Sequence, residues 1–361
     1  MRKILNKFFI YFLCGCVCPI AGPIAGSCSS SSYLRNIIIP EGTMVINEER
    51  FFGMTNILSV STPRSLISVG DRAFANDKSL TTLTLSDGLK KIGRAAFMNT
   101  GMRSVNIPGS VVEICAAAFR DCPLESFRLN EGLVSIGPSA FQQYFSHFDV
   151  STRSIEEVTI PTTVTSIWDR AFYFGGIPLK AITFLSGQVD RKLVIGSEFI
   201  DPTYVETIVF PKCELRIDAY AFAESLAVSC GLPGPIPMLQ LHYVDLSQCT
   251  KISTIHFTFT GPTTRMLDPR EWTFISEIEV DVNKDSHCMS FLSSVFRIFP
   301  RWQREAEKRY YDQLYSDPKP YDIPSASSCV FPTCKVKFAE GNVWEYDSRR
   351  LDWKKIESEH S

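Results

Sequence analysis

The sequence has little excess charge, few histidines and no short motif typical of a common enzyme. Its 37 basic and 39 acidic residues give a net charge of −2, which excludes nucleic-acid binding through bulk positive charge. The five histidines lack the spacing of a zinc-binding helix. No Asn-x-Ser/Thr sequon occurs, which favours a bacterial over a eukaryotic secreted protein. With 361 residues, 45% of them hydrophobic, the chain is neither disordered nor a small disulfide scaffold, and its length alone suggests two domains.

The N-terminus predicts an export signal over residues 1–27. Arg2, Lys3 and Lys7 precede an apolar stretch over residues 8–20, and small residues follow it, which is the order of a secretory signal peptide. Glycine and proline interrupt the stretch, which disfavours a retained membrane-spanning helix. Removing residues 1–27 leaves 34 basic residues against 39 acidic ones, a balance of −5.

Two interpretations of the cleavage site remain open. Ala25 and Ser27 are small residues that a general signal peptidase accepts. Alternatively, Ala25-Gly26-Ser27-Cys28 resembles a bacterial lipobox, with Cys28 as the lipidated first residue and residues 28–32 as a serine-rich tether. The protein is then either secreted or anchored by lipid at a cell surface.

The middle of the chain is a repeat built around an Ala-Phe pair. The pairs are Ala73-Phe74, Ala96-Phe97, Ala118-Phe119, Ala140-Phe141, Ala171-Phe172 and Ala221-Phe222, and Phe199 keeps the second place alone. A branched aliphatic residue stands five positions before each Phe. An apolar triplet with spacing i, i+3, i+5 follows each pair, as in Met102-Val105-Ile107, and proline often comes directly after it.

This pattern predicts a stack of short coils. The end of each triplet alternates apolar and polar residues, which is typical of a strand with one buried face, and proline then ends the strand. The Ala-Phe segment is predicted to form a tight helical turn with Phe in the interior. One coil cannot bury its own apolar face, so the fold class is an α/β-type solenoid of eight or nine coils with a parallel β-sheet.

The motif Leu-x-x-Ile-x-Ile-Pro-x-x-Val-x-x-Ile-Gly-x-x-Ala-Phe resembles the BspA-type leucine-rich repeat. It is clearest over residues 102–119, 124–141 and 155–172, and the resemblance covers residues 33–283. The resemblance implies a secreted or surface-attached protein of bacteria or some protists, used for adhesion. Because the repeat positions are structural, the function rests on analogy with the family.

The resemblance also implies where a ligand binds, since leucine-rich repeats usually bind ligands on the polar positions of their strands. Arg128 and Glu157 are the charged residues near the centre of this face, and a solvated β surface without a ligand is the alternative. An insertion at residues 142–154 adds aromatic residues that form either a binding knob or a cover for an interior gap. The candidate ligand-binding residues are Thr82, Thr84, Ser104, Asn106, Ser126, Arg128, Glu157, Thr159, Thr183 and Thr207 on the strands, with Tyr144, Phe145 and Phe148 in the insertion.

Residues 284–361 depart from the repeat and predict a helix from about residue 286 to 315, then a hairpin around Val336 and Trp344. We interpret this region as an end cap, with a small partner-binding module as the alternative. Cys329 and Cys334 bracket four residues and are a candidate disulfide in an exported protein.

The sequence therefore predicts an exported, surface-associated binding protein with no catalytic activity, no cofactor and no metal. The expected partner is a protein or glycan on a host or neighbouring cell, or an envelope component, and not nucleic acid. Membrane contact is expected only through a lipid anchor at Cys28. A structural envelope component without a specific ligand is the alternative function.

Overall fold

The computed structural model describes residues 9–11, 17–19, 36–143, 155–174, 177, 179–187, 191–200, 205–218, 221–222, 241, 243–259, 272–296, 334–339, 342–347 and 352–356. Within these residues the chain forms short strands and one helix, α1 (Asp285–Val295). The strands are β1 (Phe9–Tyr11), β2 (Val17–Pro19), β3 (Asn36–Ile38), β4 (Val45–Ile46), β5 (Ser59–Ser61), β6 (Ser68–Val69), β7 (Thr82–Thr84), β8 (Lys91–Ile92), β9 (Ser104–Ile107), β10 (Glu113–Ile114), β11 (Ser126–Leu129), β12 (Ser135–Ile136), β13 (Ile155–Ile160), β14 (Ser166–Ile167), β15 (Leu179–Phe184), β16 (Lys192–Ile195), β17 (Val205–Val209), β18 (Glu214–Asp218), β19 (Tyr243–Asp245), β20 (Lys251–Phe259), β21 (Trp272–Glu279), β22 (Lys335–Lys337), β23 (Val343–Asp347) and β24 (Asp352–Ile356).

In the described part of the chain these strands stack as a parallel solenoid. The front strands are the odd-numbered strands β3 to β19, which end the apolar triplets. The back strands are the even-numbered strands β4 to β20, and with β21 they form one ten-stranded sheet in the order β4-β6-β8-β10-β12-β14-β16-β18-β20-β21. The parallel solenoid is confirmed, whereas the count of eight or nine coils remains a prediction.

The front strands divide into three sheets instead of the single sheet that the repeat predicts. Strands β3, β5 and β7 form the first sheet, β9 and β11 form the second, and β13 begins a seven-stranded third sheet that continues through β15, β17, β19, β22, β23 and β24. Strands β11 and β13 are therefore neighbours that do not share a hydrogen-bonded ladder. The interruption coincides with the insertion that separates Phe141 from Ile155.

The interior contains a column of phenylalanine rings, one from each successive coil. Phe51, Phe74, Phe97, Phe119, Phe141 and Phe172 stack with neighbouring ring centroids 4.9–5.6 Å apart and planes within 11° of parallel. The five Ala-Phe pairs within this column are all buried, because alanine fits where the backbones of adjacent coils approach closely. The prediction that the phenylalanine of each Ala-Phe pair lies in the interior is confirmed for these coils.

The predicted helical turn at each Ala-Phe pair is not confirmed, because the segment forms successive turns held by the next coil. The amides of Arg72, Phe74 and Asn76 donate to carbonyls of the following coil at 2.8 Å, and the same alternation recurs along the stack. Arg72 and Asn76 have φ angles of 54° and 65°, which a helix does not contain. Every second amide faces the neighbouring coil, so a continuous helix cannot form.

One glycine shows how closely the turns of adjacent coils approach. Gly132 has a φ of +109°, and a Cβ atom at this position would overlap the carbonyl oxygen of Gly109 in the preceding coil. Only glycine meets both the backbone angle and the spacing without strain. The Glu131-Gly132 turn is therefore fixed by packing between coils.

The C-terminal part differs from the sequence expectation in two places. The resemblance extends the parallel repeat to residue 283, but β21 runs antiparallel to β20 and Ile278 is 66% exposed. The helix ends at Val295, and residues 297–333 lie outside the described residues.

The predicted hairpin corresponds to the antiparallel pair β22 and β23. Phe296, which follows α1, stacks on Phe222 with ring centroids 4.7 Å apart and also contacts Trp353. The end-cap role and the domain boundaries remain predictions. Across the described part of the chain, no helix combines the length and apolar character needed to cross a bilayer.

Asp77 is a buried carboxylic acid in the turn after Phe74, with none of its surface exposed. Burial raises the pKa of Asp77 from 3.8 to about 7, although the backbone amides of Ser79 and Leu80 offset part of the rise. The folded chain therefore binds this proton more tightly than the unfolded chain does. As the pH rises, the carboxyl group of the unfolded chain releases its proton first. The contribution of Asp77 to the free energy of unfolding is therefore fully present below about pH 4 and is lost as the pH rises through about 7.

Replacing Asp77 by asparagine is expected to raise the free energy of unfolding at pH 7.5 by about 1–3 kcal/mol, because a buried charge is replaced by a neutral amide. The gain should shrink as the pH falls from about 7 toward 4 and should level off below about pH 3, where the carboxyl group is neutral in both states. Guanidinium denaturation at several pH values measures this dependence. Asp87→Asn, at an exposed turn, is the control, and an equal gain in both variants at every pH would contradict the burial argument.

Candidate ligand-binding face

The front strands present the face that the sequence predicted, in the predicted register. Ser104 lies opposite Ser126 and Asn106 opposite Arg128 on β9 and β11. In the third sheet, Thr159 on β13 lies opposite Thr183 on β15. Glu157 lies opposite Ala181, and Ala181 lies opposite Thr207 on β17. The exposed candidates on this face are Thr82, Thr84, Ser104, Asn106, Ser126, Arg128, Glu157 and Thr159, and Thr183 and Thr207 are half-buried.

Hydrogen bonds between coils order several polar side chains on or beside this face. The Ser59 hydroxyl donates to the Asn36 side-chain oxygen at 2.7 Å. Asn130 donates to the Asn106 side-chain oxygen at 2.9 Å and to the carbonyl of Ile107 at 2.7 Å. These contacts reduce the rotamer freedom that a ligand would otherwise have to remove on binding.

A cleft of about 410 Å³ lies where the front sheet is interrupted between β11 and β13. Its lining includes Phe127, Arg128, Asn130, Glu157, Thr159 and Leu185. Arg128 stands on β11 and Glu157 on β13, so the two charges that the sequence singled out belong to one depression. Within the described residues, neither side chain forms an ion pair with another residue, and both side chains are therefore available to a ligand.

Phe127 stands at the middle position of its apolar triplet, where the neighbouring coils have the smaller aliphatic residues Val105 and Val158. Its ring stacks on Phe141 with centroids 4.6 Å apart and lies 6.0 Å from the ring of Phe172. Phe127 thus joins the phenylalanine column from the front strand. This packing anchors the floor of the cleft to the core.

Glu131 links the two sides of the sheet interruption. Its carboxylate accepts hydrogen bonds from the Thr162 amide at 3.0 Å, the Thr162 hydroxyl at 2.8 Å and the Thr163 amide at 3.3 Å. Burial opposes ionisation, but these hydrogen bonds lower the pKa of Glu131 overall. The carboxylate is therefore a charged structural contact across the interruption, and it holds one end of the cleft in place.

The front face continues beyond the predicted residues into the C-terminal region. Tyr243 and Asp245 on β19 lie opposite Lys335 and Lys337 on β22. The Tyr243 hydroxyl donates to Asp245 at 3.0 Å, and the ammonium group of Lys337 lies 3.6 Å from the same carboxylate. Burial, followed by the hydrogen bond to Asp245, raises the pKa of Tyr243 to about 12, so the phenol stays neutral.

Sequence reasoning missed this charged end of the face. The alternation around Val244 in the triplet Leu241-Val244-Leu246 was a signal that could have placed Tyr243 and Asp245 on the front. The pairing of β22 with β19 joins segments about ninety residues apart, and no local pattern indicates it.

Several predicted residues fall outside the described residues. They are Tyr144, Phe145 and Phe148 of the insertion, Cys28 of the lipobox and Cys329 of the candidate disulfide. Cys334 is described and carries a buried free thiol. The roles of these residues remain predictions.

The stacked coils and the ordered polar face define a parallel solenoid built from a sequence repeat. The profile of the BspA type leucine rich repeat region matches residues 24–147 and 145–263, in six copies. These matches span well over half of the chain. The protein therefore belongs to the BspA-type leucine-rich-repeat family.

Three bacterial leucine-rich-repeat proteins are among the solved structures that this chain matches. The T. pallidum leucine rich repeat protein is 21% identical, with 44% of this chain and 78% of that chain covered and a TM-score of 0.26. A leucine rich cell surface protein from Faecalibacterium prausnitzii A2-165 is 18% identical, with coverages of 61% and 83% and a TM-score of 0.25. A leucine-rich repeat protein from Bacteroides ovatus ATCC 8483 is 14% identical, with coverages of 70% and 90% and a TM-score of 0.22. The search of curated proteins found no match.

Proposed function

We propose that this protein is exported and displayed at a cell surface, where its front face binds a protein partner in adhesion. The observation that carries the proposal is the cleft between β11 and β13, which Arg128 and Glu157 flank on a face otherwise rich in hydroxyl and amide groups. Membership of a repeat family that generally binds proteins supports the same conclusion. Export and surface display rest on the signal-like N-terminus, and the scaffold acts by binding, without a catalytic step.

The cleft favours a partner that carries both charges at a short spacing. A guanidinium group and a carboxylate on opposite sides of one depression pair with a complementary acidic and basic side chain. The hydroxyl rows on either side add hydrogen-bonding positions without strong charge. A folded protein surface or an extended peptide offers this combination, whereas a neutral glycan uses the hydroxyl and amide groups alone.

The double variant Arg128→Ala/Glu157→Ala is expected to weaken partner binding about tenfold or more, because both charged contacts of the cleft are removed. Its thermal midpoint should stay within about 2 °C of the unchanged protein, since the two side chains are exposed. Immobilised protein tested against host matrix, glycans and envelope fractions identifies the partner, and titration then measures the change in affinity.

Lys91→Ala/Glu113→Ala is the matched control, because it removes an exposed charge pair, 2.8 Å apart, from the back strands. This variant should bind as the unchanged protein does. Equal affinity in the Arg128/Glu157 variant would contradict the proposed cleft and leave the insertion at Tyr144 as the candidate surface. Failure to bind any host material would contradict adhesion.

Labelling cells with a radioactive fatty acid distinguishes the two forms of export. Label that enters the unchanged protein and is lost in Cys28→Ala shows a lipid anchor at Cys28. Unlabelled protein in the medium, cut after residue 27, shows plain secretion. Protein that keeps residues 1–27 inside the cell contradicts export.

A further inference from the structure

Cys213 and Cys249 lie side by side in adjacent coils. Cys213 directly precedes β18, and Cys249 comes two residues before β20. Glu214 lies opposite Lys251 in the parallel pairing of these strands, and the Thr250 amide donates to the carbonyl of Cys213 at 2.9 Å. This register places Thr250 opposite Cys213 and Cys249 one residue away, on adjacent coils whose strands are about 4.8 Å apart.

Both cysteines are buried free thiols in adjacent coils. The Cys249 thiol donates to the carbonyl of Pro211, two residues before Cys213, at 3.9 Å. The proximity of the two thiols lowers the pKa of Cys213 and raises that of Cys249. The guanidinium of Arg191 also favours a negative charge on Cys213.

A cleft gives access to this pair from one side. It has a volume of about 520 Å³, and its lining includes Cys249, Lys251, Glu279, Asp281 and His287. Cys213 is fully buried, whereas Cys249 is 8% exposed. A small molecule that enters the cleft therefore meets Cys249 first, with Cys213 directly behind it.

We infer that Cys213 and Cys249 form a disulfide by exchange with a small external disulfide that enters this cleft. The site is a thiol oxidation site in the core of the solenoid, separate from the front face and from the Cys329 and Cys334 pair. An exported chain meets such oxidants, because extracellular compartments maintain disulfides. The inference rests on the proximity of two thiols and on the access to one of them.

The exchange balances with oxidised glutathione as the disulfide donor. Cys249, the thiol that the cleft exposes, loses its proton to water, and its thiolate attacks one donor sulfur to form a mixed disulfide while the first glutathione leaves as a thiolate that water protonates. The thiolate of Cys213 then attacks the sulfur of Cys249, and the second glutathione leaves as a thiolate that water protonates. Two electrons pass from the cysteines to the donor, and the products are one protein disulfide and two glutathione thiols.

The test is a peptide map of the full chain after incubation with oxidised glutathione. Trypsin cuts after Lys212, Arg216 and Lys251, so Cys213 lies in the peptide 213–216 and Cys249 lies in the peptide 217–251 with Cys230. The expected product links these two peptides, with fragmentation placing the bond on Cys249. A bond on Cys230, or unlinked peptides that both remain open to alkylation, would overturn the inference.

Thermal unfolding provides a second measurement. Oxidised protein is expected to melt about 5–10 °C above reduced protein, because the bond closes the segment 213–249 in the unfolded chain. Cys213→Ala and Cys249→Ala should each remove the difference between oxidised and reduced samples, whereas Cys122→Ala should keep it. Cys122 is the matched control, since its buried thiol contacts Thr100 and the carbonyl of Phe97. The peptide map of unaltered protein decides the question even if a variant does not fold.

Discussion

Replacing Phe119 by alanine is expected to lower the free energy of unfolding by about 3–5 kcal/mol. Its ring is fully buried between those of Phe97 and Phe141, with centroids 5.4 and 5.3 Å away. The substitution removes the transfer free energy of one ring and leaves a cavity in contact with both neighbours. Because coils contact only their neighbours, the cavity also weakens the contact between the two halves of the stack. Guanidinium denaturation followed by circular dichroism measures the loss.

Phe52→Ala is the matched control for Phe119→Ala. The Phe52 ring is 37% exposed and lies under the guanidinium of Arg72, 4.5 Å from its centroid. Removing it should cost about 1 kcal/mol or less, since the site is open to solvent. Equal losses in the two variants would show that position in the ring column does not determine stability.

Replacing Arg191 by methionine is expected to destabilise the fold by about 3–5 kcal/mol. The guanidinium is 8% exposed and donates to the carbonyls of Val164 at 2.7 Å, Pro161 at 3.1 Å and Leu185 at 3.4 Å. Methionine fills much of the volume but leaves the carbonyls of Val164 and Leu185 without this donor, while the Pro161 carbonyl keeps the Val164 amide. Each unsatisfied buried group costs about 1–3 kcal/mol. Denaturant titration measures the change.

Lys192→Ala tests the neighbouring residue under the same conditions. Lys192 is an exposed partner of Glu214, with the charged atoms 3.4 Å apart, and its loss should cost less than about 1 kcal/mol. Arg191→Lys should fall near the methionine variant, because one ammonium group cannot reach three carbonyls in the geometry of a planar guanidinium. Full stability in Arg191→Lys would show that charge alone is sufficient at this position.

The repeat allowed much of the fold to be predicted. The spacing of Phe74, Phe97, Phe119 and Phe141 predicted an interior ring in each coil, and alternation around Val105 and Val158 predicted which strand residues face outward. These predictions succeed because each depends on contacts within one coil or between neighbouring coils, where one fixed pattern is repeated. The resemblance supplied the parallel stacking for the same reason.

Features that depend on breaks in the repeat could not be predicted. The cleft beside Arg128 requires that β11 and β13 do not pair, and the repeat, which predicts one continuous front sheet, does not indicate this break. The proximity of Cys213 and Cys249 requires the register of β18 on β20, which are separated by a stretch of sequence that departs from the repeat. The turn at each Ala-Phe pair was predicted as helical because a short apolar segment does not show that every second amide donates to another coil.

The direction of the bonds between coils determines how the protein responds to a pulling force. The amides of Phe74 and Phe97 donate to the next coil, so these bonds lie along the axis of the stack and across the strands. A force along this axis is therefore expected to load the bonds of one terminal coil at a time. A coil of about 22 residues releases about 75 Å of chain when it opens. We expect the stack to lengthen in steps of this size under load, while the coils that stay closed keep their front face.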